Sequence, residues 1–191
     1  NIASNALLTA GAASTVTLNA GAGPITDGNG AANNVSALNL ALIATTGIGV
    51  GTTLETVVTN IEAKTATGGV FIANTGALSL GNVSGALDGV DVTGASGDIS
   101  LVATGSISVI IHNEDITAPG NITLNAQGAS SDLTTSGANS ASTIQTTGAA
   151  ALVSLTAGRD VILGLPNPAG YGDTISAGSI LVNAGRDFVL Q

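Results

Sequence analysis

Cysteine, methionine and tryptophan are absent from this 191-residue chain. Without cysteine there is no disulfide framework, iron–sulfur cluster or thiolate zinc site. Aromatic side chains number three, Phe71, Tyr171 and Phe188. Positive charge is almost missing: Lys64, Arg159 and Arg186 stand against 12 carboxylates, for a formal net charge of −9. So few cations cannot neutralise a phosphate backbone, which argues against nucleic-acid binding and against docking on anionic membrane. Mean hydropathy is +0.50. Even so, Gly, Ser, Thr or Asn interrupts every apolar stretch, and none approaches the roughly 18 residues of a membrane helix. The helix formers Glu, Lys, Arg and Gln are scarce and glycine is frequent, so a helical protein is excluded.

What fills the chain is small. Gly, Ala, Thr, Ser and Asn make up 115 of its residues, and 31 of its 84 apolar residues are alanine. Ile, Leu and Val nevertheless recur in order, unlike the low hydrophobicity of disordered segments. The recurring phrase is apolar, any, apolar, any, Ala, with Gly close behind. It reads Val16-Thr17-Leu18-Asn19-Ala20-Gly21, then Leu40 to Ala44 with Gly47, then the variant Val70 to Asn74 with Gly76. It continues as Ile99 to Ala103 with Gly105, Ile122 to Ala126 with Gly128, Val153 to Gly158 and Ile180 to Gly185. Intervals between first positions are 24, 30, 29, 23, 31 and 27 residues. A second apolar pair follows in most units, as at Ile48/Val50, Leu78/Leu80, Ile107/Val109, Val161/Leu163 and Phe188/Leu190. A weaker third point lies at Ile61, Val90/Val92, Ile116, Ile144 and Ile175.

A period of two within each unit marks strands with one buried face. Hairpin steps are limited to Asp27-Gly28, Asn29-Gly30 and Asp88-Gly89, where a local hairpin is conceivable. The expected fold is therefore all-β: a parallel β-helix of about seven turns, each of roughly 23 to 31 residues, over residues 1–191. One turn cannot bury its inner face, whereas stacked turns bury a continuous core. Ala20, Ala44, Ala103, Ala126, Ala157 and Ala184 suit narrowing near a corner. The glycine after each is expected to adopt positive φ and allow the bend. Residues 26–37, 82–96, 130–147 and 165–174 are the expected loops. An antiparallel β-sandwich is the competing fold. With Asn first, no Met anywhere and no basic-then-apolar leader, the chain is expected to be an internal piece of a longer repetitive protein.

Several polar clusters carry groups capable of chemistry. Glycoside cleavage wants two carboxylates across a groove, and Asp88/Asp91 and Glu114/Asp115 are the candidate pairs. Neither has Lys or Arg close in sequence, and only Tyr171 is expected to offer an exposed ring to a sugar. His112-Asn113-Glu114-Asp115 is the densest polar run. It reads as a solvent-facing corner, with a calcium-type cation site as the alternative, since one His is far short of a zinc set. No catalytic, cofactor or metal residue is assigned. Arg159-Asp160 and Arg186-Asp187 lie 27 residues apart. One turn apart, they would stack about 4.8 Å from each other and repel unless Arg and Asp alternate between turns. The loop with Pro166, Asn167, Pro168 and Tyr171 is the expected contact surface. Asn34, Asn82 and Asn121 head glycosylation sequons that so polar a composition produces by chance.

Two phrases are nearly identical, Ser154-Leu155-Thr156-Ala157-Gly158-Arg159-Asp160-Val161-Ile162-Leu163 and Leu181-Val182-Asn183-Ala184-Gly185-Arg186-Asp187-Phe188-Val189-Leu190. With Gly97-Asp98-Ile99-Ser100-Leu101 and Gly120-Asn121-Ile122-Thr123-Leu124, they resemble the repeats of filamentous-haemagglutinin-like adhesins, large exoproteins of Gram-negative bacteria. The likeness is sharpest from Gly97 to Gln191. It implies a right-handed β-helix, export to the cell surface or beyond, and a role in adhesion, biofilm cohesion or stalk building. It also implies a passenger segment outside the family's secretion-signal domain. The expected function is non-enzymatic, a rigid stalk or adhesion surface. A self-assembling subunit of an extracellular filament or matrix is the second reading, and a polysaccharide-active enzyme the third. Expected partners are a host or neighbouring-cell surface protein or glycan, and further copies of the chain. Neither nucleic acid nor membrane insertion is expected of this segment.

Overall fold

The computed structural model describes residues 1–110, 114–136, 142–164 and 173–191. Every strand ladder among them is parallel. The chain is a right-handed parallel β-solenoid whose described residues amount to roughly six turns. The antiparallel sandwich is thereby excluded. No hairpin forms at Asp27-Gly28, Asn29-Gly30 or Asp88-Gly89. Strands leaving those steps join a different column, or continue a parallel one.

The C-terminal part has three columns of strands. The first stacks Val70–Asn74, Ile99–Ala103, Ile122–Ala126, Leu152–Ala157 and Ser179–Ala184. The second stacks Leu78–Leu80, Ile107–Ile110, Leu133–Ser136, Val161–Leu163 and Phe188–Leu190. The third stacks Val90–Val92, Ile116–Ala118, Thr143–Thr146 and Thr174–Ser176. The apolar points read in the sequence fall on these columns, while Leu133–Ser136 is a strand within the expected loop 130–147.

The N-terminal part corrects the expected register. The strands Thr15–Asn19 and Asn39–Ile43 are not on the column of Val70. Leu40 pairs with Ile61, and the next strand of that column is Asn60–Thr65. The true predecessors of Val70 are Ile48, Ile25 and Ile2. A separate column holds Leu8–Thr9, Val35–Ser36 and Leu54–Val57. Alternation tells which residues point inward but not which face of the coil carries them. The phrase at Val16 and the phrase at Ile122 are therefore alike in sequence and on different faces.

The two parts join at a fork. Asn60 and Ile61 pair upward with Ser79 and Leu80, whereas Ala63, Lys64 and Thr65 pair with Val90, Asp91 and Val92. One column thus becomes two. One strand later, Val70 continues from Ile48 while Ile72, Ala73 and Asn74 lie on Leu54, Glu55 and Thr56. There two columns become one. The corners of the coil shift around its axis across this level.

Burial follows the alternation. Ile122, Leu124 and Ala126 are fully buried, as are Ile99, Leu101 and Ala103 below them. The outward Thr123 and Asn125 stay half-exposed. The glycines after the alanines serve two purposes. Gly21, Gly47 and Gly76 take positive φ as expected. Gly105, Gly128, Gly158 and Gly185 do not. At Gly158 and Gly185 a Cβ would collide with the carbonyl oxygen of the glycine one turn below, Gly128 and Gly158 respectively. There glycine is required by close backbone approach rather than by its φ.

Leu124→Ala is expected to cost about 2–5 kcal/mol, as for other truncations in close-packed cores. Thr123→Ala, on the outer face of the same strand, is expected to stay within about 0.5 kcal/mol. Urea unfolding of both variants measures the contrast, and equal losses would contradict the inward and outward assignment.

Candidate functional site

Four of the carboxylates picked out in the sequence gather at the fork, joined by one that was missed. Asp88 and Asp91 sit at and just beyond the end of the loop that opens the fork, and Glu114 and Asp115 come from the turn above. Glu62 comes from below. It lies between Ile61, whose carbonyl accepts Gly81 N–H, and Ala63, whose N–H donates to Gly89 O. The segment from Gly81 to Gly89 therefore leaves and re-enters the ladder astride Glu62. Single-residue spacing gave no sign of this, because only the branching of the column places Glu62 under the loop.

The loop covers Glu62 completely. Val83 and Ser84 donate their N–H groups to the two carboxylate oxygens of Glu62, each at 2.8 Å. Asn82 donates its N–H to Glu114 Oε1 at 3.1 Å. The other oxygen of Glu114 is buried without a partner among the described residues. Glu114 is only 8 % exposed, which corrects the solvent-facing reading of the 112–115 corner for this residue. His112 and Asn113 lie outside the described residues. Asn82 is the single non-glycine residue with positive φ among those described, at 60°. Asn tolerates this conformation because its short polar side chain bonds locally. A polar cavity of about 350 Å³ is bordered by Glu62, Asn82, Ser84, Asp88 and Glu114. Among the described residues no group of three or more His, Cys, Asp or Glu is placed to hold a metal ion. Glu62 and Glu114 hold backbone N–H groups, so three of their four oxygens are committed to anchoring the loop.

Burial raises the pKa of Glu62 and of Glu114, against the N–H bonds that each accepts. It pushes Asp91 up to about 6, opposed by Lys64 and reinforced by Asp115, Asp88 and Glu114. Glu55 is raised by burial and by Asp27. Two carboxylates go the other way. Asp27 is held low by the Asn34 side chain and the Asn29 N–H, and Asp132 by the Arg159 guanidinium.

The arginine pairs form a ladder with three rungs rather than two. Arg159 makes a bidentate contact with Asp132 in the turn below, its Nε donating at 2.7 Å. Arg186 does the same to Asp160, with Nε at 2.9 Å. Each Asp also accepts the backbone N–H of the Asp above it at 3.2 Å. The diagonal pairing relieves the repulsion that stacked like charges would feel. Asp132 was missed because Ser131 occupies the place before it where the other rungs carry Arg.

No family model, curated protein or solved structure matches this chain.

Two asparagines act as clasps. Asn74 sits where columns merge, in place of the alanine found above it at Ala103. Its Oδ1 accepts from Thr56 Oγ1 and Val58 N–H, both at 2.9 Å, and its Nδ2 donates to Val58 O and Ala77 O. Asn34 donates to Asp27 Oδ1, Asn29 Oδ1 and the Ser4 carbonyl, and accepts from Glu55 N–H. Being fully buried, Asn34 is closed to glycosylation in the folded chain, whereas Asn82 and Asn121 are exposed. The loop with Pro166, Asn167, Pro168 and Tyr171 lies outside the described residues.

Asp160→Ala removes the partner of Arg186 and the acceptor for Asp187 N–H. It is expected to cost about 1–3 kcal/mol, the range for losing buried hydrogen-bond partners. Asp187→Ala, at an exposed rung, is expected to cost less, and denaturant midpoints of the two variants rank them.

Stability is also expected to peak on the acid side of neutrality. Glu55, Glu62, Asp91 and Glu114 have raised folded pKa values, so their contribution is present below the usual carboxylate range. It is lost as pH rises, through about 6 for Asp91. Asp27 and Asp132 have lowered values, so theirs is present above that range and lost in stronger acid. Urea midpoints should be higher near pH 5 than near pH 8, and a monotonic rise to pH 8 would contradict the burial of the fork carboxylates.

Proposed function

We propose that this chain is a non-enzymatic structural and adhesive segment of a protein exported to the surface of a Gram-negative bacterium. The observation that carries the reading is the parallel ladder running from Ile2 to Leu190, apolar inside and faced with short polar side chains outside. Such a scaffold is rigid because each turn is bonded to the turns on either side along most of its strands. Seven rises of about 4.8 Å, from Ile2 to Ile180, correspond to ~34 Å along the axis. Outward rows such as Ser100, Thr123 and Ser154 repeat one hydroxyl per turn.

Rows of identical weak groups favour multivalent attachment, in which many contacts act together at high effective concentration. The partner class is a host or neighbouring-cell surface protein or glycan. The repeats from Gly97 to Gln191 that resemble filamentous-haemagglutinin-like adhesins support export and the adhesive role.

Beads coated with the purified segment, driven over glycan- or cell-coated surfaces in laminar flow, test the proposal. Attachment should strengthen steeply with coating density, and soluble polysaccharides incubated with the segment should gain no new reducing ends. Release of reducing ends would overturn the non-enzymatic reading. Growth of the free segment into fibres with concentration would move the function to a filament subunit.

A further inference from the structure

The loop at the fork has an unusual attachment. It is held by two carboxylates from two different turns, Glu62 below and Glu114 above, and both are buried. Elsewhere in the coil, N–H groups of the connections go to backbone carbonyls, to asparagine or threonine side chains, and to aspartates such as Asp27, Asp98 and Asp115, which keep partial exposure. Carboxylates are the costlier choice, because a buried ionised group without a cation loses its hydration.

The charge around the loop is one-sided. From the strand Asn60–Thr65 come Glu62 and Lys64, and from the loop itself comes Asp88. Asp91 comes from the strand Val90–Val92, and Glu114 and Asp115 come from the turn above. The strands Asn39–Ile43 and Leu78–Leu80 contribute no titratable group. Five carboxylates thus face one described cation, and Lys64 is ladder partner to Asp91 rather than to either glutamate. His112 lies outside the described residues. One glutamate oxygen, Oε2 of Glu114, is shut away from water and has no hydrogen-bond partner among the described residues. Gly81 lies against it so closely that a Cβ there would collide with the Glu114 side chain. A space closed to water still admits a proton.

We infer that the Gly81–Gly89 loop is a proton-controlled flap, closed over Glu62 when Glu114 is protonated and released when Glu62 and Glu114 are both ionised. With one proton present, Glu114 Oε2 becomes a hydroxyl and the pair carries a single charge. Glu62 stays ionised and keeps its two short N–H bonds. Without that proton, two buried anions and the neighbouring Asp88 repel one another, and opening the loop returns them to water. The hinges are in place: Gly81 and Gly89 bracket the loop with φ of +107° and +71°. Opening uncovers Leu87, which is 6 % exposed when closed. Burial raises both glutamates in the closed form. Closure is therefore favoured in acid and lost as pH rises through the closed-state values.

Amide hydrogen exchange of the whole chain followed by NMR tests the inference at Asn82, Val83 and Ser84. After correction for intrinsic exchange, their protection should be lost progressively between pH 5 and pH 8, as the raised glutamates ionise in the closed form. Protection of Leu101 should not follow. Glu114→Gln keeps an acceptor for Asn82 N–H and carries no charge, so it should hold the loop closed across the range. Glu55→Gln, whose carboxyl is also raised but lies away from the loop, should leave the wild-type response intact. Protection at the three amides that does not change with pH would overturn the inference. So would a Glu114→Gln response equal to that of the wild type.

Discussion

Register between turns governs this molecule. In a parallel ladder each residue lies on its counterpart one turn away, so whatever a position carries is repeated along the axis. For Ile122 on Ile99, or Leu155 on Leu124, repetition is favourable, because identical apolar side chains close-pack into a column. For charge it is not. Arg186 over Arg159 is tolerable only because each guanidinium reaches down to the aspartate of the preceding rung. The same constraint explains the glycines at 128, 158 and 185, where backbones at a corner come closer than any Cβ allows.

The fork breaks that register once, and polar chemistry collects where it breaks. A column that divides must leave part of a strand without its upper neighbour, and Glu62 supplies side-chain acceptors to the loop that departs there. Two columns that merge must close the old corner between them, and Asn74 does so with four hydrogen bonds to Thr56, Val58 and Ala77. Thr65, also fully buried, accepts Gly47 N–H and donates to Thr67 O at the same level. Buried polar groups carry a penalty unless satisfied. Their concentration here marks the structural irregularity of an otherwise repetitive coil.

How much of this was legible from sequence differs between the two parts. From Ile99 onward the apolar points that were read fall on three columns, and the stacking of Arg159-Asp160 under Arg186-Asp187 was foreseen, but the strand Leu133–Ser136 of the second column lies within the expected loop 130–147. Before Val70 most inward residues were read correctly and their column was not; Val50, read as part of a second strand, is exposed, and Ala41 and Glu62 are buried against the alternation. Val16 and Leu40 carry the same alternation as Ile122, and period two contains no information about which face of a polygon a strand occupies. Ile48 is a single bridging residue without a strand of its own, too short a signal to mark the real predecessor of Val70. The fork carboxylates were visible as Asp88, Asp91, Glu114 and Asp115, but as separate sequence pairs. Their convergence on Glu62 depends on contacts between residues more than 20 positions apart, and sequence spacing does not report these. The buried state of Glu114 followed from that convergence and ran against its polar neighbourhood in sequence.

The most direct test of the shifted register is a set of backbone nuclear Overhauser contacts in the isotopically labelled chain. The structure places Ile61 between Leu40 on one side and Leu80 on the other, and cross-strand contacts should join Ile61 to both. It also places Ile48 between Ile25 and Val70. Contacts joining Leu40 directly to Val70, with none from Ile61 to Leu40, would mean that no fork exists and that one unbroken column runs through both phrases.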